Sequence, residues 1–397
     1  MLSVEEALDR IVGHARATGV ERVPLERAAG RVPAQWSVRA GVDVPPFSNS
    51  SMDGYALRAG DTPGELRLIG EVAAGATALT AVVPGSAVRI MTGAPLPPGA
   101  DAVIPIEVTV ERDGRVSVPK AEIAAYVRMA GHDTRNGETV DLRHEPLSAS
   151  SLAVLASLGL GEVEVRRPPR VAVLATGDEL ALPGELLGPG QIHDANSVAL
   201  AAAITESGGE ALALPPVPDD EASIERTLAE AAAGADLVVV SGGVSVGRYD
   251  HVRTAVERLG ELEFWRIAVQ PGKPLAFGTI GGVPVIGLPG NPVSALVTFE
   301  LFVRPLLRAM LGLEGDGRLH LPATLEDRIG KDRERRAYLR VVLRREAGGL
   351  LARSAGGQAS SQLRPLAAAN ALLVVPEGDE AGEAGATYDA VVIGDLS

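Results

Sequence analysis

The sequence predicts a multidomain protein that combines an α/β domain with separate β domains. Three observations predict this fold class: the chain is 397 residues long, buried apolar strands alternate with helices after residue 169, and short Val-rich segments separated by turns occupy two other regions. A chain of this length is expected to form about two to four domains. We expect a central three-layer α/β domain with a largely parallel sheet, an inserted small all-β domain, a linking α+β module and a C-terminal β-barrel-like domain.

The predicted domain boundaries follow changes in sequence pattern, and Pro168-Pro169 marks the clearest junction. A capping box at Ser3 and Glu6 predicts a helix within residues 1–20, which belongs to the linking module or packs on the α/β domain. The expected domains are the linking module (1–42 and 137–168), the inserted β domain (43–136), the α/β domain (169–313) and the C-terminal β domain (314–397).

Composition excludes several classes of function. Cysteine is absent, which removes disulfides, thiolate nucleophiles and Cys-held metal clusters. The net charge of −14 and the twelve aromatic residues (Phe 5, Trp 2, Tyr 5) argue against nucleic-acid or membrane-surface binding. No apolar run approaches the ~18 residues of a membrane span. The acidic N-terminal segment lacks the features of a signal peptide, so a cytoplasmic location is expected.

Four unusual loops are predicted at the carboxyl ends of the α/β strands, where open sheets of this type bind ligands. Ser241–Gly247 offers backbone amides unshielded by side chains, which is typical of an anion site but also of a plain tight turn. Asn291-Pro292 is a typical helix start that points amides toward the same edge. The four loops are Thr176–Glu179, Ser241–Gly247, Gln270–Pro274 and Pro289–Ser294.

Acidic residues occupy the same edge, and carboxylates beside an anion site require a cation between them. Mg²⁺ bridging carboxylate and phosphate oxygens is the usual arrangement. Among Asp178, Glu179, Asp219, Asp220 and Asp250, solvated loop charge is the simpler interpretation for Asp219 or Asp220.

Lys273 is unusual because only three of the 37 basic residues are lysines, and this one lies in a Pro-Gly-Lys-Pro turn. A compact ammonium suits a small tetrahedral oxyanion better than a planar guanidinium does, although a lysine retained by chance at the surface is the alternative. Two further segments are candidates for a functional role: the polar loop Pro45–Tyr55 and the run of cations from Arg328 to Arg345. Such a run is usually a solvated strand face, but in a protein with a net charge of −14 it could instead attract an anion locally.

These motifs, taken in order, resemble those of the molybdopterin molybdenumtransferases, the family of MoeA-type molybdenum insertases and the gephyrin E domain. The matching segments span nearly the whole chain: Pro45–Ala56, Thr92–Pro95, Ala175–Leu180, Ser241–Gly247 with Asp250, Pro271–Pro274, Gly287–Ser294, and Gln358–Leu363 with Ala369-Asn370. Two positions depart from the family pattern. Many relatives have Asp at the position of Ser48, and some have a basic residue at that of Gln270.

The resemblance implies a homodimer of four-domain subunits that converts adenylylated molybdopterin and molybdate, with Mg²⁺, into molybdenum cofactor and AMP. It also implies transient contact with the upstream adenylyltransferase. The residues it assigns to catalysis are Asp53, Thr92, Asp133, Glu179 and Lys273. Those assigned to molybdopterin and AMP are Thr176, Gly177, Ser241, Gly242, Gly243, Ser245, Pro289, Gly290, Asn291 and Pro292. Those assigned to molybdate are Lys273, Pro274 and Ser294, with Arg336 or Arg340 and Ser360 or Ser361; the metal ligands are Asp178, Glu179 and Asp250.

Two alternatives remain open at this point. The adenylyltransferase of the same pathway would share the α/β domain, but it would consume ATP and release pyrophosphate. A gephyrin-like scaffold without catalysis would retain every measurable role after Lys273→Ala or Glu179→Ala.

Overall fold

The computed structural model describes residues 1–77, 80–243 and 251–396. Among the residues singled out above, Ser245 and Asp250 lie outside these ranges. The chain divides into two compact units, one made of Met1–Glu21 with Arg166–Ser397 and the other of Arg22–Val165.

In the first part of the chain the elements are α1 (Val4–Gly13), β1 (Val20–Pro24), β2 (Ser37–Arg39), β3 (Asn49–Ser50), β4 (Gly54–Leu57), β5 (Gly64–Val72), β6 (Ser86–Ile90), β7 (Ala102–Pro105), β8 (Val110–Arg112), β9 (Arg115–Val118), β10 (Val127–Arg128), β11 (Thr139–Asp141), α2 (Ala149–Ser157) and β12 (Glu162–Arg166). The α/β part then contains β13 (Arg170–Ala175), β14 (Leu180–Ala181), β15 (Ile192–His193), α3 (Ala195–Glu206), β16 (Glu210–Ala213), α4 (Glu221–Gly234), β17 (Leu237–Ser241), α5 (His251–Leu259), β18 (Glu261–Arg266), β19 (Val269–Gln270), β20 (Pro274–Ile280), β21 (Val283–Leu288), α6 (Pro292–Thr298) and α7 (Arg304–Met310). The C-terminal part contains β22 (His320–Leu325), β23 (Ile329–Gly330), β24 (Arg336–Glu346), β25 (Gly349–Ser354), α8 (Leu363–Ala368), β26 (Ala371–Val375), β27 (Ala381–Gly382) and β28 (Thr387–Val392).

The unit Arg22–Val165 contains a six-stranded sheet with the order β7–β4–β6–β5–β9–β8. Successive residues of a strand point to opposite faces, and both faces of β4 are covered: Tyr55 and Leu57 belong to one apolar cluster and Ala56 to another. A further cluster in this unit is centred on Leu155 of α2. Ser148 caps α2, because its hydroxyl oxygen accepts a hydrogen bond from the amide of Ser151 at 3.2 Å.

The α/β part has a six-stranded sheet with the order β16–β13–β17–β21–β20–β18. The first four strands are parallel, and β20 and β18 extend the sheet in antiparallel pairings. Alternation within the strands places Val173 and Val239 in a core with α1, α3, α6 and α7. Leu174 and Val240 face the opposite core with α4 and α5. The result is a helix–sheet–helix sandwich.

The C-terminal part is a closed barrel of five strands, β24–β25–β22–β28–β26, closed by the pairing of β24 with β26. Its interior is filled by apolar residues such as Leu339, Val341 and Leu373. The predicted fold class of α/β and β domains is thereby confirmed, whereas the four domain boundaries stay a prediction. No helix within the described ranges has the length and apolar character that crossing a membrane requires.

One short strand connects the barrel to the α/β sheet. β19 pairs in parallel with β24, with Gln270 opposite Ala337. The chain then turns and enters β20 of the α/β sheet. The turn that carries Lys273 is therefore anchored in the barrel at one end and in the α/β sheet at the other.

Candidate active site

The carboxyl ends of β13, β17 and β21 meet at one edge of the parallel sheet, and the loops that follow them enclose a cavity of about 650 Å³. The cavity therefore lies at the edge where the sequence predicts the ligand site. Its lining includes twelve of the predicted residues: Thr176, Gly177, Glu179, Ser241, Gly242, Gly243, Pro274, Pro289, Gly290, Asn291, Pro292 and Ser361.

Hydrogen bonds connect the three loops that follow β13, β17 and β21. The amide of Thr176 donates to the carbonyl of Ser241 at 3.0 Å, and the amide of Gly242 donates to that of Leu288 at 3.2 Å. The side-chain amide of Asn196 donates to the Ser241 hydroxyl and to the Gly290 carbonyl, both at 2.8 Å. The sequence analysis missed Asn196, although its place two residues after the helix cap Asp194, in a polar segment, is a usable signal.

Gly242 and Gly243 have positive φ values of +96° and +65° and lie too close to their neighbours for a side chain. A Cβ atom on Gly242 would lie 2.7 Å from the carbonyl oxygen of Thr176, and one on Gly243 would lie 2.5 Å from Val252. The loop therefore requires glycine. The hydroxyl of Thr176 is buried beside it without a hydrogen-bond partner among the described residues, so a donor is left for a ligand.

Three carboxylates gather at this edge. Asp178 accepts a hydrogen bond from the amide of Asp219 at 3.1 Å, and the Glu179 carboxylate lies against Gly177. One oxygen of Asp219 is buried without a hydrogen-bond partner among the described residues. Burial raises the pKa of Asp219, and the charges of Asp178 and Glu179 raise it further against the opposing charge of His251.

The interpretation of Asp219 as a solvated loop charge is therefore wrong, because packing in the cavity wall withdraws one of its oxygens from water. The same interpretation is correct for Asp220, which is exposed. Its carboxylate caps α4 by accepting a hydrogen bond from the amide of Ser223 at 2.9 Å. Within the described ranges, no three His, Asp or Glu side chains are placed to hold a metal ion together.

The turn after β19 presents Lys273 to solvent. Gln270 accepts a hydrogen bond from the amide of Asp332 at 2.8 Å, and a Cβ atom on Gly272 would lie 2.4 Å from Thr298. The Lys273 ammonium makes no hydrogen bond or ion pair with any residue that the structure describes. The amide of Glu334 and the Arg335 side chain lower the pKa of Asp332, and the Lys273 charge adds to this effect.

The two candidate arginines of the barrel have different surroundings. Arg336 forms ion pairs with Glu5 and Glu377. Arg340 is 1% exposed and donates to the carbonyls of Gly357 at 3.0 Å and Ala359 at 3.3 Å. Burial lowers the pKa of Arg340. The interpretation of the basic run as a solvated strand face is wrong at Arg340, because the loop that contains Gly357 and Ala359 covers that side chain on the outer face of β24.

The loop that Arg340 holds reaches the cavity. Gln358 pairs with the backbone of Arg340 through two hydrogen bonds of 3.0 Å, and the amide of Val293 donates to the carbonyl of Ser360 at 3.1 Å. Ser361 lines the cavity. The Asn291 side chain makes no cap hydrogen bond, although Asn291 occupies the helix-cap position; Ser294 is buried in α6.

The remaining predicted residues lie in the unit Arg22–Val165. The amide and hydroxyl of Thr92 both donate to one carboxylate oxygen of Asp53, at 2.6 and 2.7 Å. These bonds, the backbone one first, lower the pKa of Asp53. Asp133 borders a separate cavity of about 680 Å³ together with His132 and Arg135, and its amide donates to the carbonyl of Val44 at 2.9 Å.

Comparison with known proteins assigns the chain to a family. Residues 2–159 match the "MoeA N-terminal region (domain I and II)", residues 172–309 the "Probable molybdopterin binding domain" and residues 322–393 the "MoeA C-terminal region (domain IV)". Molybdopterin molybdenumtransferase 2 of Mycobacterium tuberculosis is 40% identical over 391 residues, which are 95% of this chain and 96% of that protein. The chain belongs to the MoeA family. Molybdopterin molybdenumtransferase of Haemophilus influenzae is another relative, 41% identical over 79% of this chain and 78% of its own.

A solved MoeA structure agrees with this assignment. The molybdopterin biosynthesis MoeA protein of Pyrococcus horikoshii superposes with a TM-score of 0.86 at 35% identity, covering 100% of both chains. The resemblance predicted from the motifs is confirmed. In MoeA terms, the cavity lies in the segment that matches the molybdopterin binding domain, and Arg340 and Ser361 lie in the segment that matches the C-terminal region.

Proposed function

We propose that this MoeA family member inserts molybdenum into molybdopterin: adenylylated molybdopterin and molybdate are converted into molybdenum-molybdopterin and AMP. The relatives of Mycobacterium tuberculosis and Haemophilus influenzae bear the name molybdopterin molybdenumtransferase. The observation that carries the proposal is the cavity at the sheet edge, whose lining combines glycine loops, the carboxylates of Glu179 and Asp219 and a serine from the barrel. A nucleotide diphosphate and a small oxyanion are the ligands that such a wall suits.

The glycine loop supplies the nucleotide side of the site. The backbone amide of Gly243 and the unpartnered hydroxyl of Thr176 would donate to phosphate oxygens, whereas the amide of Gly242 is already bound to the carbonyl of Leu288. The resemblance assigns Mg²⁺ to Asp178, Glu179 and Asp250, and we add Asp219 as a candidate. Because no three of the described side chains are placed to hold a metal ion together, one or two of these carboxylates would hold Mg²⁺ together with the substrate phosphates. The buried, unpartnered oxygen of Asp219 supports this fit, since it needs a cation or a donor. Mg²⁺ neutralises phosphoanhydride charge when bound.

The oxyanion side of the site holds molybdate, which is a substrate. Lys273 contributes a compact positive charge from its anchored turn, next to Pro274 in the cavity wall. Of the two candidate arginines, Arg336 is already neutralised by Glu5 and Glu377. We therefore assign Arg340 to the site as a positioning residue, because it is buried and holds the loop that leads to Ser361. Ser361 lines the cavity and is likewise the better of the two candidate serines. Ser294, buried at the start of α6, belongs to the same proposed set.

Catalysis then consists mainly of positioning and electrostatics. The chain has no cysteine, so both sulfur atoms that bind molybdenum come from the substrate. Asp53, Thr92 and Asp133 are proposed as catalytic on the resemblance alone. The homodimer and the contact with the upstream adenylyltransferase have the same basis, and the cytoplasmic location stays an expectation from the sequence.

The deciding experiment incubates the full chain with adenylylated molybdopterin, with and without molybdate, and quantifies AMP. We expect AMP release that depends on molybdate and Mg²⁺. Consumption of ATP with release of pyrophosphate would indicate the adenylyltransferase reaction instead. Absence of any turnover, with unchanged behaviour of Lys273→Ala and Glu179→Ala, would indicate a scaffold.

A further inference from the structure

A second depression adjoins the cavity and shares Ser361 with it. This groove, of about 580 Å³, runs beside α8. Apart from Ser361 it is lined by Ala355, Gln362, Leu363, Arg364, Pro365 and Ala368. The residues that line the cavity and those that line the groove thus meet at Ser361, next to the loop that Arg340 holds.

The groove has the chemical character of a site for a flat, polar ring. Leu363, Pro365 and Ala368 give it apolar walls. Arg364 is exposed and makes no hydrogen bond or ion pair with any described residue. A guanidinium at the rim of an apolar groove can stack on a heteroaromatic ring or donate two parallel hydrogen bonds to acceptors on its edge.

The covalent order of the substrate decides which of its parts reaches the groove. Adenylylated molybdopterin consists, in sequence, of adenosine, a diphosphate, the carbon frame with the two sulfur atoms, and the pterin. If the diphosphate lies at the carboxylates and molybdate at Ser361, the sulfur atoms must also lie near Ser361. The pterin then extends beyond Ser361, away from the nucleotide.

We infer that the groove beside α8 binds the pterin ring of the substrate, with Arg364 contacting the edge or face of the ring. This inference rests on the proposed function, since it takes the nucleotide and molybdate positions from it. It makes Arg364 and Ala368 determinants of substrate affinity that do not contact the reacting atoms.

The test compares groove variants with neighbours outside the groove. Ala368→Phe fills the groove, and Ala367→Phe places the same side chain on the adjacent exposed position of α8, which does not line it. Arg364→Ala removes the guanidinium, and Arg353→Ala removes another exposed arginine of the same barrel. For each protein we would measure the KM for adenylylated molybdopterin under anaerobic conditions, the Kd for AMP by calorimetry, and the melting temperature.

We expect each of Ala368→Phe and Arg364→Ala to raise the KM about tenfold. The first variant blocks the site of the ring, and the second removes a charged hydrogen-bond donor to it. The Kd for AMP should stay within about twofold of the parent value, and both controls should match the parent. A KM unchanged in both groove variants would overturn the inference while leaving the proposed function intact. A parallel loss of AMP affinity would assign the groove to adenosine and would also overturn it. If the parent protein releases no AMP at all, the proposed function itself fails.

Discussion

The amide nitrogen of Val293 donates a hydrogen bond to the carbonyl oxygen of Ser360 at 3.1 Å. Val293 lies in the first turn of α6 in the α/β part, and Ser360 lies in the barrel loop before α8. The first amides of a helix have no partner within the helix, so this bond satisfies one of them and fixes the barrel loop at the cavity wall. Ser361, the next residue, lines the cavity as a result.

This arrangement predicts different roles for the two adjacent serines. Ser361→Ala should lower molybdate-dependent AMP formation about tenfold, because a hydroxyl donor at the oxyanion is lost. Ser360→Ala should lower it less than about twofold, since the backbone carbonyl that binds Val293 is retained. The comparison is made at limiting molybdate. Equal losses in the two variants would contradict the assignment of the hydroxyl of Ser361 to the oxyanion.

The second prediction concerns Lys273. Lys273→Ala should lower molybdate-dependent turnover at least ~10²-fold, as removal of one electrostatic donor at a reacting oxyanion does. The fold should survive, because the side chain is exposed and unpaired among the described residues. Lys120→Ala, at another exposed lysine, is the matched control. Unchanged AMP release at limiting molybdate would remove Lys273 from the site.

The sequence patterns predicted the alternation of strands and helices and the reciprocal capping box. The amide of Ser3 donates to the Glu6 carboxylate at 2.9 Å, and the amide of Glu6 donates to the Ser3 hydroxyl at 3.1 Å. These features depend on residues close together in the chain, so local patterns contain them. The sequence patterns also predicted that the loops after β13, β17 and β21 reach the carboxyl edge of the sheet, because parallel strands place these loops on one side.

The patterns did not predict the burial of Arg340, the half-buried position of Asp219 or the ties made by Asn196. Each depends on distant segments: Arg340 binds carbonyls 17 and 19 residues away, and Asn196 binds Gly290 across 94 residues. A charged residue in a basic run has the same local sequence whether its strand faces water or the barrel loop. The packing of the loop with Gly357 and Ala359 on the outer face of β24 decides between these two environments.

The third prediction distinguishes the two arginines. Arg340→Lys keeps the positive charge but loses the planar guanidinium, whose Nη2 donates to the carbonyls of Gly357 and Ala359. The half-saturating molybdate concentration should rise at least about tenfold, while AMP affinity is retained. Arg344→Lys, at an exposed residue of the same strand, is the control. If only Arg336→Lys changes the molybdate dependence, Arg336 takes the role instead.

The fourth prediction concerns the carboxylates. Glu179→Gln and Asp219→Asn should each raise the half-saturating Mg²⁺ concentration several-fold, about five- to tenfold, since Mg²⁺ relies on one or two protein carboxylates beside the phosphates. Glu230→Gln, at an exposed residue of α4, should leave it unchanged. The measurement is AMP formation in a Mg²⁺ titration at saturating substrate. An unaltered half-saturation point in both site variants would exclude these residues as ligands.

The fifth prediction concerns the pH dependence of stability at the start of the barrel. The two ring nitrogens of His320 each lie 2.9 Å from a carboxylate oxygen, one of Asp389 and one of Asp316. A neutral imidazole has a single N–H, so only the protonated ring donates to both. Burial lowers the pKa of His320, but the hydrogen bonds to Asp389 and Asp316 outweigh it, and the pKa is raised above 6.5.

A pKa that is higher in the folded than in the unfolded chain stabilises the fold at low pH. The contribution of His320 is therefore complete below pH 6.5 and is lost as pH rises through the folded-state pKa. Relative to the parent protein, His320→Gln should lower the melting temperature more at pH 6 than at pH 8. The two decreases should differ by about 1–3 °C. His144→Gln, at a histidine stacked on Trp36, is the control. A margin that is the same at both pH values would show that the imidazole contributes only packing.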